Sequence, residues 1–259
     1  KIVTRILYDK DKKKATGVEV LDAINNQTYE FKSKIVFVCA SAFNSTWVLM
    51  NSATDIWPDG LGSSSGQLGH NVMDHHFRCG AGGAVEGYEE YIEYGSRPTG
   101  IYIPRFRNVY NDKRNYLRGF GYQGGAGRGR GVEVAELLGK EFKEAKFQPN
   151  KWYIGITGFG EMLPYHENTI KLDKEKKDKW GLPVLRMDVE MKENEHNMRK
   201  DMMADAKEML EATGVKDVYD YDWGYAPGMG IHEMGTARMG RDPKTSVLNG
   251  NNQVWEATN

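Results

Sequence analysis

The stretch with the clearest chemical content lies at the end of the chain, "GMGIHEMGTARMG", where His232 stands between Gly230 and Gly235 and is followed by Thr236 and Arg238. Glycine carries no Cβ, so the backbone can turn sharply on either side of the histidine and other groups can approach it closely. An imidazole held this way is aimed and accessible. With an unperturbed pKa near about 6.5, it can accept a proton at neutral pH. A lone histidine can equally cap a turn, so its surroundings have to decide between the two roles.

Other candidate groups carry less. His70, His75 and His76 cluster in sequence, but no second set of cysteines or carboxylates has the spacing of a tetrahedral metal site, so hydrogen bonding is their expected role and no metal is expected. Gly124, Gly125, Gly127, Gly129 and Gly131 with Arg128 and Arg130 invite a phosphate-loop reading. They lack both the dinucleotide spacing and a GK[ST] ending, and are read as the flexible or sharply bent end of a strand. No G-x-S-x-G nucleophile elbow occurs.

The elements that must position these groups follow from pattern. The chain has 259 residues and a net charge of −1, enough length for a large core and no field that would draw nucleic acid or anionic lipid. No run approaches the roughly 18 to 20 apolar residues of a membrane span. The two cysteines, Cys39 and Cys79, exclude a disulfide framework, and Cys39 is expected as a buried free thiol. The chain opens on Lys1 inside a strand-like run and reads as a fragment of a longer polypeptide; its compartment, cytoplasmic or periplasmic, is left open.

Alternation predicts strands at 1–9, at "ATGVEVLDA" and at "TYEFKSK". The run "IVFVCASA" has the length and continuity of a strand buried on both faces, as in a parallel sheet covered by helices. It leads into a helix over "NSTWVLMNS", with Asn44 or Ser45 as cap. Long antiparallel strands are expected between about 77 and 165, interrupted by a charged helix near "VEVAELLGKEFKEA". A hairpin with a solvated lysine-rich tip follows at "NTIKLDKEKKDKWGLPVLRMDVEM". Met198, Met202, Ala206, Met209 and Leu210 then share one helical face, closed by Gly214.

In this order, the β-meander, "IVFVCASAFNSTWVLMNS", "GQLGHNVMDHH", the long antiparallel region and "HEMGTARMGRDPKTSVLNGNNQVW" resemble the glucose-methanol-choline (GMC) oxidoreductases, FAD-dependent enzymes that oxidise alcohols. Ser41 to Ser52 is similar to that family's second signature, with Thr46 and Ala53 where proline or serine, and glycine, are usual. Gly69-His70-Asn71 with Asp74-His75 is similar to its "GxNLxDH" element. The resemblance covers essentially the whole chain. It implies that His232 lies over the flavin as one of a pair of active-site residues, the other falling beyond Asn259, and that Val3, Cys39, Ala40 and Ser41 lie on the adenine side of FAD. It also implies that Asn71 and Asp74 fix a loop, and that Thr236, Arg238 and Asp242 support the site.

The expected fold class is α+β: an antiparallel substrate domain with flanking helices, together with partial remnants of an FAD-binding α/β domain. The expected division is 1–76, 77–225 and 226–259. The expected function of the parent is oxidation of an alcohol, with sugars or polyols favoured, by hydride transfer to FAD that this fragment alone would scarcely retain. The alternative is a non-catalytic carbohydrate-binding or interaction module of the same descent. The expected partner is a small-molecule alcohol or sugar, with an unidentified electron acceptor, no nucleic acid and no membrane span.

Overall fold

The computed structural model describes residues 1–91, 100–130, 137–147 and 149–259. In chain order the first half holds β1 (Ile2–Asp9), β2 (Lys14–Leu21), β3 (Thr28–Lys32), α1 (Ser41–Asn51), β4 (His75–His76), β5 (Cys79–Val85), β6 (Ile101–Ile103) and β7 (Phe120–Arg130). There follow α2 (Gly139–Phe147), β8 (Pro149–Glu161), β9 (Thr169–Lys177), β10 (Pro183–Asp188), α3 (Glu193–Ala212) and β11 (Lys216–Asp222). The helices are interspersed among strands whose ladders are all antiparallel, the α+β class expected. Of the charged helix expected near 132–145, residues 132–136 lie outside the described residues. The chain forms two compact units.

The first unit comprises Lys1–Asp74, Pro164–Glu190 and Ile231–Asn259. Its β1-β2-β3 meander is antiparallel throughout, as the alternation predicts. Ile6 and Ala15 from the meander pack with Val48 and Leu49 of α1 and with Leu61. The β9–β10 hairpin, which the sequence reading placed in 77–225, belongs to this unit: the Trp47 indole N–H on α1 donates to the Pro183 carbonyl at 2.7 Å. The hairpin is not uniform. Between the Leu172–Leu185 and Lys177–Pro183 pairs the register shifts, and the Asp173 carboxylate accepts from the Glu175 and Lys176 amides, which holds its own pKa below the usual carboxylate value.

The run "IVFVCASA" is not the buried strand expected. Residues 33–40 form no strand, Val36 and Val38 pack against the meander core, and Ile35, Phe37 and Cys39 on the alternate side are exposed. The alternation of a strand is there, but a strand buried on both faces needs a layer packed on each, one side of this run is exposed, and no strand among the described residues pairs with it. Cys39 is correspondingly an exposed free thiol, not a buried one. Helix α1 starts with Ala40 at its N-cap without a side-chain cap. Ser45, expected as a possible cap, instead accepts the Ala40 amide from inside the helix, at 3.2 Å.

The second unit comprises His75–Leu163 and Met191–Gly230. Its sheet runs β11-β5-β8-β7-β6, with β4 added to β8. Strand β11 was missed in the sequence, although Tyr219, Tyr221 and Trp223 alternate with Asp220 and Asp222, the period of a half-buried strand. The glycine run in "GGAGRGR" pairs residue for residue with β8 as far as Arg128, so Gly124, Gly125 and Gly127 lie in a regular strand interior, and the register shifts only at its end, between Arg128 and Arg130; Gly131 lies outside the described residues. One face of the sheet is covered by α3, whose Met198, Met202, Ala206 and Leu210 are buried against Cys79, Ala81, Tyr122 and Ile156. The methionine and leucine side chains each contribute on the order of 1.5–3 kcal/mol by leaving water, the alanine roughly 0.8 kcal/mol. Met209 is only partly buried. The helix stops at Thr213, and Gly214 takes φ +83° just beyond, the left-handed turn that glycine adopts most readily.

Candidate active-site loop and nucleotide cavity

The residues after His232 are fixed by an unusually complete set of backbone bonds. Met234 and Met73 exchange N–H···O bonds at 3.0 Å, the Thr236 amide donates to the His70 carbonyl at 2.9 Å, and Gly69 donates to the Thr236 carbonyl at 2.7 Å. Gly235 sits at φ +84° with the Asn71 carbonyl pressed against it, and a Cβ there would lie 1.9 Å from that oxygen. Only glycine satisfies both the angle and the contact. The "GxNLxDH" segment and the "HxxGT" segment are therefore zipped along each other, and the resemblance that named both is matched by a shared local structure. Asn71, at φ +61° and buried, and buried Asp74 belong to this seam.

Thr236 is also left-handed, at φ +64°, and fully buried. A β-branched residue in that region is strained, and two hydroxyl bonds hold it: Thr46 on α1 donates to Thr236 Oγ1 at 2.7 Å, and Thr236 donates to the Ala42 carbonyl at 3.3 Å. Of the residues usual at position 46 in the resemblance, serine could make the same bond and proline could not. Arg238 donates through Nε and Nη2 to the Thr245 carbonyl at 3.0 and 2.6 Å. The Asp242 carbonyl accepts the Thr245 amide and the Ser246 hydroxyl, so Arg238 and Asp242 brace the turn that follows. His232 itself stands at the exposed front of this braced loop, after Ile231 at φ +60°.

The four residues expected on the adenine side divide. Val3 on β1 and Ala40 at the head of α1 both line a cavity of about 570 Å³, with Asn44 and Trp47 on one side and Leu182 and Val184 of the hairpin on the other. Cys39 and Ser41 flank Ala40 in the chain but are not among the lining residues. The volume lies within the usual range of about 300–1,000 Å³ for small-molecule sites, and mixed apolar walls with a few polar groups are their usual composition. Strand β1 is an edge strand, so part of its backbone is available to the edge of a heterocycle. These features fit an adenine ring. The hairpin wall was invisible in sequence, because nothing local places Leu182 and Val184 beside Val3.

The histidine cluster resolves into separate roles. His70 stacks on His166 at 4.1 Å and its Nδ1 lies 2.7 Å from the His166 carbonyl; His75 Nδ1 is 3.3 Å from the Gly160 carbonyl. His76 departs from the expected hydrogen-bonded role: it is fully buried and neither ring nitrogen has a partner in hydrogen-bonding geometry among the described residues. Burial, then the neighbouring Arg199 guanidinium, push its pKa down to about 3, the Glu161 backbone offsetting only part of this. No group of three or more metal-ligating side chains occurs among the described residues, and no helix there is long and apolar enough to cross a membrane.

Comparison with known proteins agrees with the seam between the two motifs. Two family models described as GMC oxidoreductase match, one over residues 1–77 and the other over 164–259. The chain is 31% identical over 260 residues to a 2-methyl-1,2-propanediol dehydrogenase of Mycolicibacterium austroafricanum, covering 95% of this chain and 45% of that protein. It is 24% identical to a gluconate 2-dehydrogenase flavoprotein of Pantoea cypripedii (99% of this chain, 44% of that protein). It is also 24% identical to a fructose dehydrogenase large subunit of Gluconobacter japonicus (92% and 43%). The chain thus spans a little under half the length of these relatives. Two models of one family that together match 1–77 and 164–259, with the motifs of both joined in one folded unit, establish that the chain belongs to the GMC oxidoreductase family.

Proposed function

We propose that this chain is part of an FAD-dependent enzyme that oxidises an alcohol group of a sugar, polyol or related alcohol, with His232 accepting the hydroxyl proton. The observation that carries the reading is the contrast within one loop: Gly235, Thr236, Arg238 and Asp242 are committed to bracing, while the histidine they follow is held at the exposed front. A positioned base contributes typically about 10² to 10⁴ in rate, and positioning is what the bracing supplies. Flavin, when bound, supplies the hydride acceptor. Val3 and Ala40 would hold its adenine in the cavity against Trp47, whose ring the bond to Pro183 keeps from swinging in, with Cys39 and Ser41 at the rim. The names of the relatives, a diol dehydrogenase, a gluconate dehydrogenase and a fructose dehydrogenase, support the alcohol and sugar class.

The test is direct. The full gene product is purified, its visible absorbance recorded for flavin, and bleaching followed anaerobically against 1,2-diols, gluconate, fructose and glucose. Bleaching by at least one of them is expected; a protein without flavin, or a flavin that none of them reduces, sinks the proposal.

A further inference from the structure

A second cavity, of about 800 Å³, shares only Pro183 with the one beside Val3. Its lining residues all belong to the first unit, every residue of which is described, and its volume is that of a small-molecule site. One wall comes from the stretch 50–70, with Met50, Leu68 and His70, and the other from β9. The two are fixed to each other: the Ile170 amide donates to the Gly69 carbonyl at 2.8 Å, and a Cβ on Gly69 would collide with the Ile170 carbonyl and the Met50 methyl group. In a regular strand, side chains alternate between faces, yet Lys171, Leu172, Asp173 and Lys174 all line this cavity, with Lys177 beyond them. The register shift is the reason. Residues 173–176 stand opposite Val184 alone, the Asp173 carboxylate holds this bulge by accepting the Glu175 and Lys176 amides at 2.9 and 2.8 Å, and bulges re-aim side chains in this way.

We propose that this cavity binds a small phosphate monoester. Lys171, Lys174 and Lys177 are exposed, and none of them has an ion-pair partner among the described residues. Like charges gathered round one cavity raise the local potential and favour an anion there. Of the two carboxylates at the cavity, Asp173 is already engaged by the bulge amides, and Asp59 offers an acceptor to a ligand hydroxyl. A phosphate monoester at neutral pH carries about −1.5 to −2 charges and three strong acceptor oxygens, which suits three ammonium groups acting as point charges; a carboxylate brings one charge. The apolar Met50, Leu68, Leu172 and Pro183 take the carbon skeleton, a contribution that inorganic phosphate cannot make. His70 adds a polar partner. Its Nδ1 lies against the His166 carbonyl, which can only accept, so that nitrogen carries the proton, and Nε2 of the neutral ring is left to accept from a ligand hydroxyl. The site goes beyond the proposed redox chemistry, since neither His232 nor Val3 nor Ala40 lines it.

The experiment titrates the full gene product with phenyl phosphate, D-glucose 6-phosphate, inorganic phosphate and benzoate, the phosphates by phosphorus NMR and benzoate by saturation-transfer NMR, alongside Tm. At least one ester should bind saturably and raise Tm, more tightly than inorganic phosphate or benzoate. Phenyl phosphate leads if the skeleton packs on the apolar wall, and glucose 6-phosphate leads if its hydroxyls meet Asp59 and His70. Removing all three cavity charges together, as Lys171→Gln, Lys174→Gln and Lys177→Gln, should weaken that ester at least tenfold and leave the Tm of the free protein level, because exposed lysines support little of the fold. Lys140→Gln, Lys143→Gln and Lys146→Gln on α2 remove equal charge elsewhere and should keep binding within about twofold. No saturable binding of either ester, equal affinity for benzoate or inorganic phosphate, undiminished binding in the cavity variant, an equal loss in the α2 control, or displacement of the ester by added FAD, which would place it in the cavity beside Val3, would each overturn the site. Flavin bleaching of the wild type by any alcohol is scored separately: its absence removes the redox reading and leaves a phosphate site that the cavity variant still weakens.

Discussion

Replacing His76 by leucine should remove a specific acid sensitivity from the protein. The imidazole is fully buried against Gly160 and neither ring nitrogen has a partner in hydrogen-bonding geometry among the described residues, so burial, only partly offset by the Glu161 backbone, holds it neutral in the folded state with a pKa pushed down to about 3. In the unfolded chain it titrates near about 6.5. The folded value lies below the unfolded one, so between these two pH values the unfolded state binds the proton first, and stability falls as the pH drops below about 6.5. At about 1.4 kcal/mol per pH unit, the loss by pH 5 is about 2 kcal/mol, and by pH 3 it approaches about 5 kcal/mol. The upper part of this window is diagnostic, because Asp222, which the Arg199 guanidinium holds below the usual carboxylate range, is still ionised there. Leucine has a similar volume and no ring nitrogens, so at pH 7.5 the variant should match or exceed the wild type, since unpaired buried polar atoms cost about 1–3 kcal/mol. Urea unfolding at pH 7.5, 6 and 5 checks this: the stability difference between leucine variant and wild type should grow by about 2 kcal/mol from the first pH to the last. Parallel pH profiles for the two proteins would refute the reasoning.

Two further outcomes follow from the same geometry. Thr46→Val deletes the hydroxyl bond to Thr236 while keeping the shape, and should cost about 1 kcal/mol, or about 2–4 °C in Tm for a chain of this size; Thr46→Ser should restore it, and a valine variant as stable as the wild type would show the bond to be idle. With a thiol-reactive dye, exposed Cys39 should react in the native chain, whereas Cys79, buried with its thiol pushed up to about 12 by desolvation, should react only on unfolding; equal rates would contradict the burial.

What was legible in the sequence was local. The meander, the hairpin and the α3 stripe each declare themselves through a period that one element satisfies by itself, and Met198, Met202, Ala206 and Leu210 are buried as their spacing requires. What was not legible depends on partners. The run at 33–40 has the composition of a strand, yet pairing decides whether it becomes one. Of the β7 glycines, Gly124, Gly125 and Gly127 sit in regular pairing that the sequence did not show, and only the end of the run, at Arg128–Arg130, is irregular as expected. At the site, the Gly235 and Thr236 positions could be read from the motif, but not that Thr46 bonds Thr236 or that the β9–β10 hairpin walls the cavity beside Val3 and Ala40.

The central claim is that His232 accepts a proton while its neighbours only hold it. The measurement is anaerobic stopped-flow flavin reduction in the full gene product, His232→Ala against wild type, with the best alcohol from the bleaching panel. The interaction strengthens as the alkoxide develops, so its loss belongs to the chemical step. The limiting rate should fall by about 10² to 10⁴ fold, with substrate affinity and Tm little changed. Normal flavin reduction together with a lowered Tm would contradict the account and make His232 part of the scaffold.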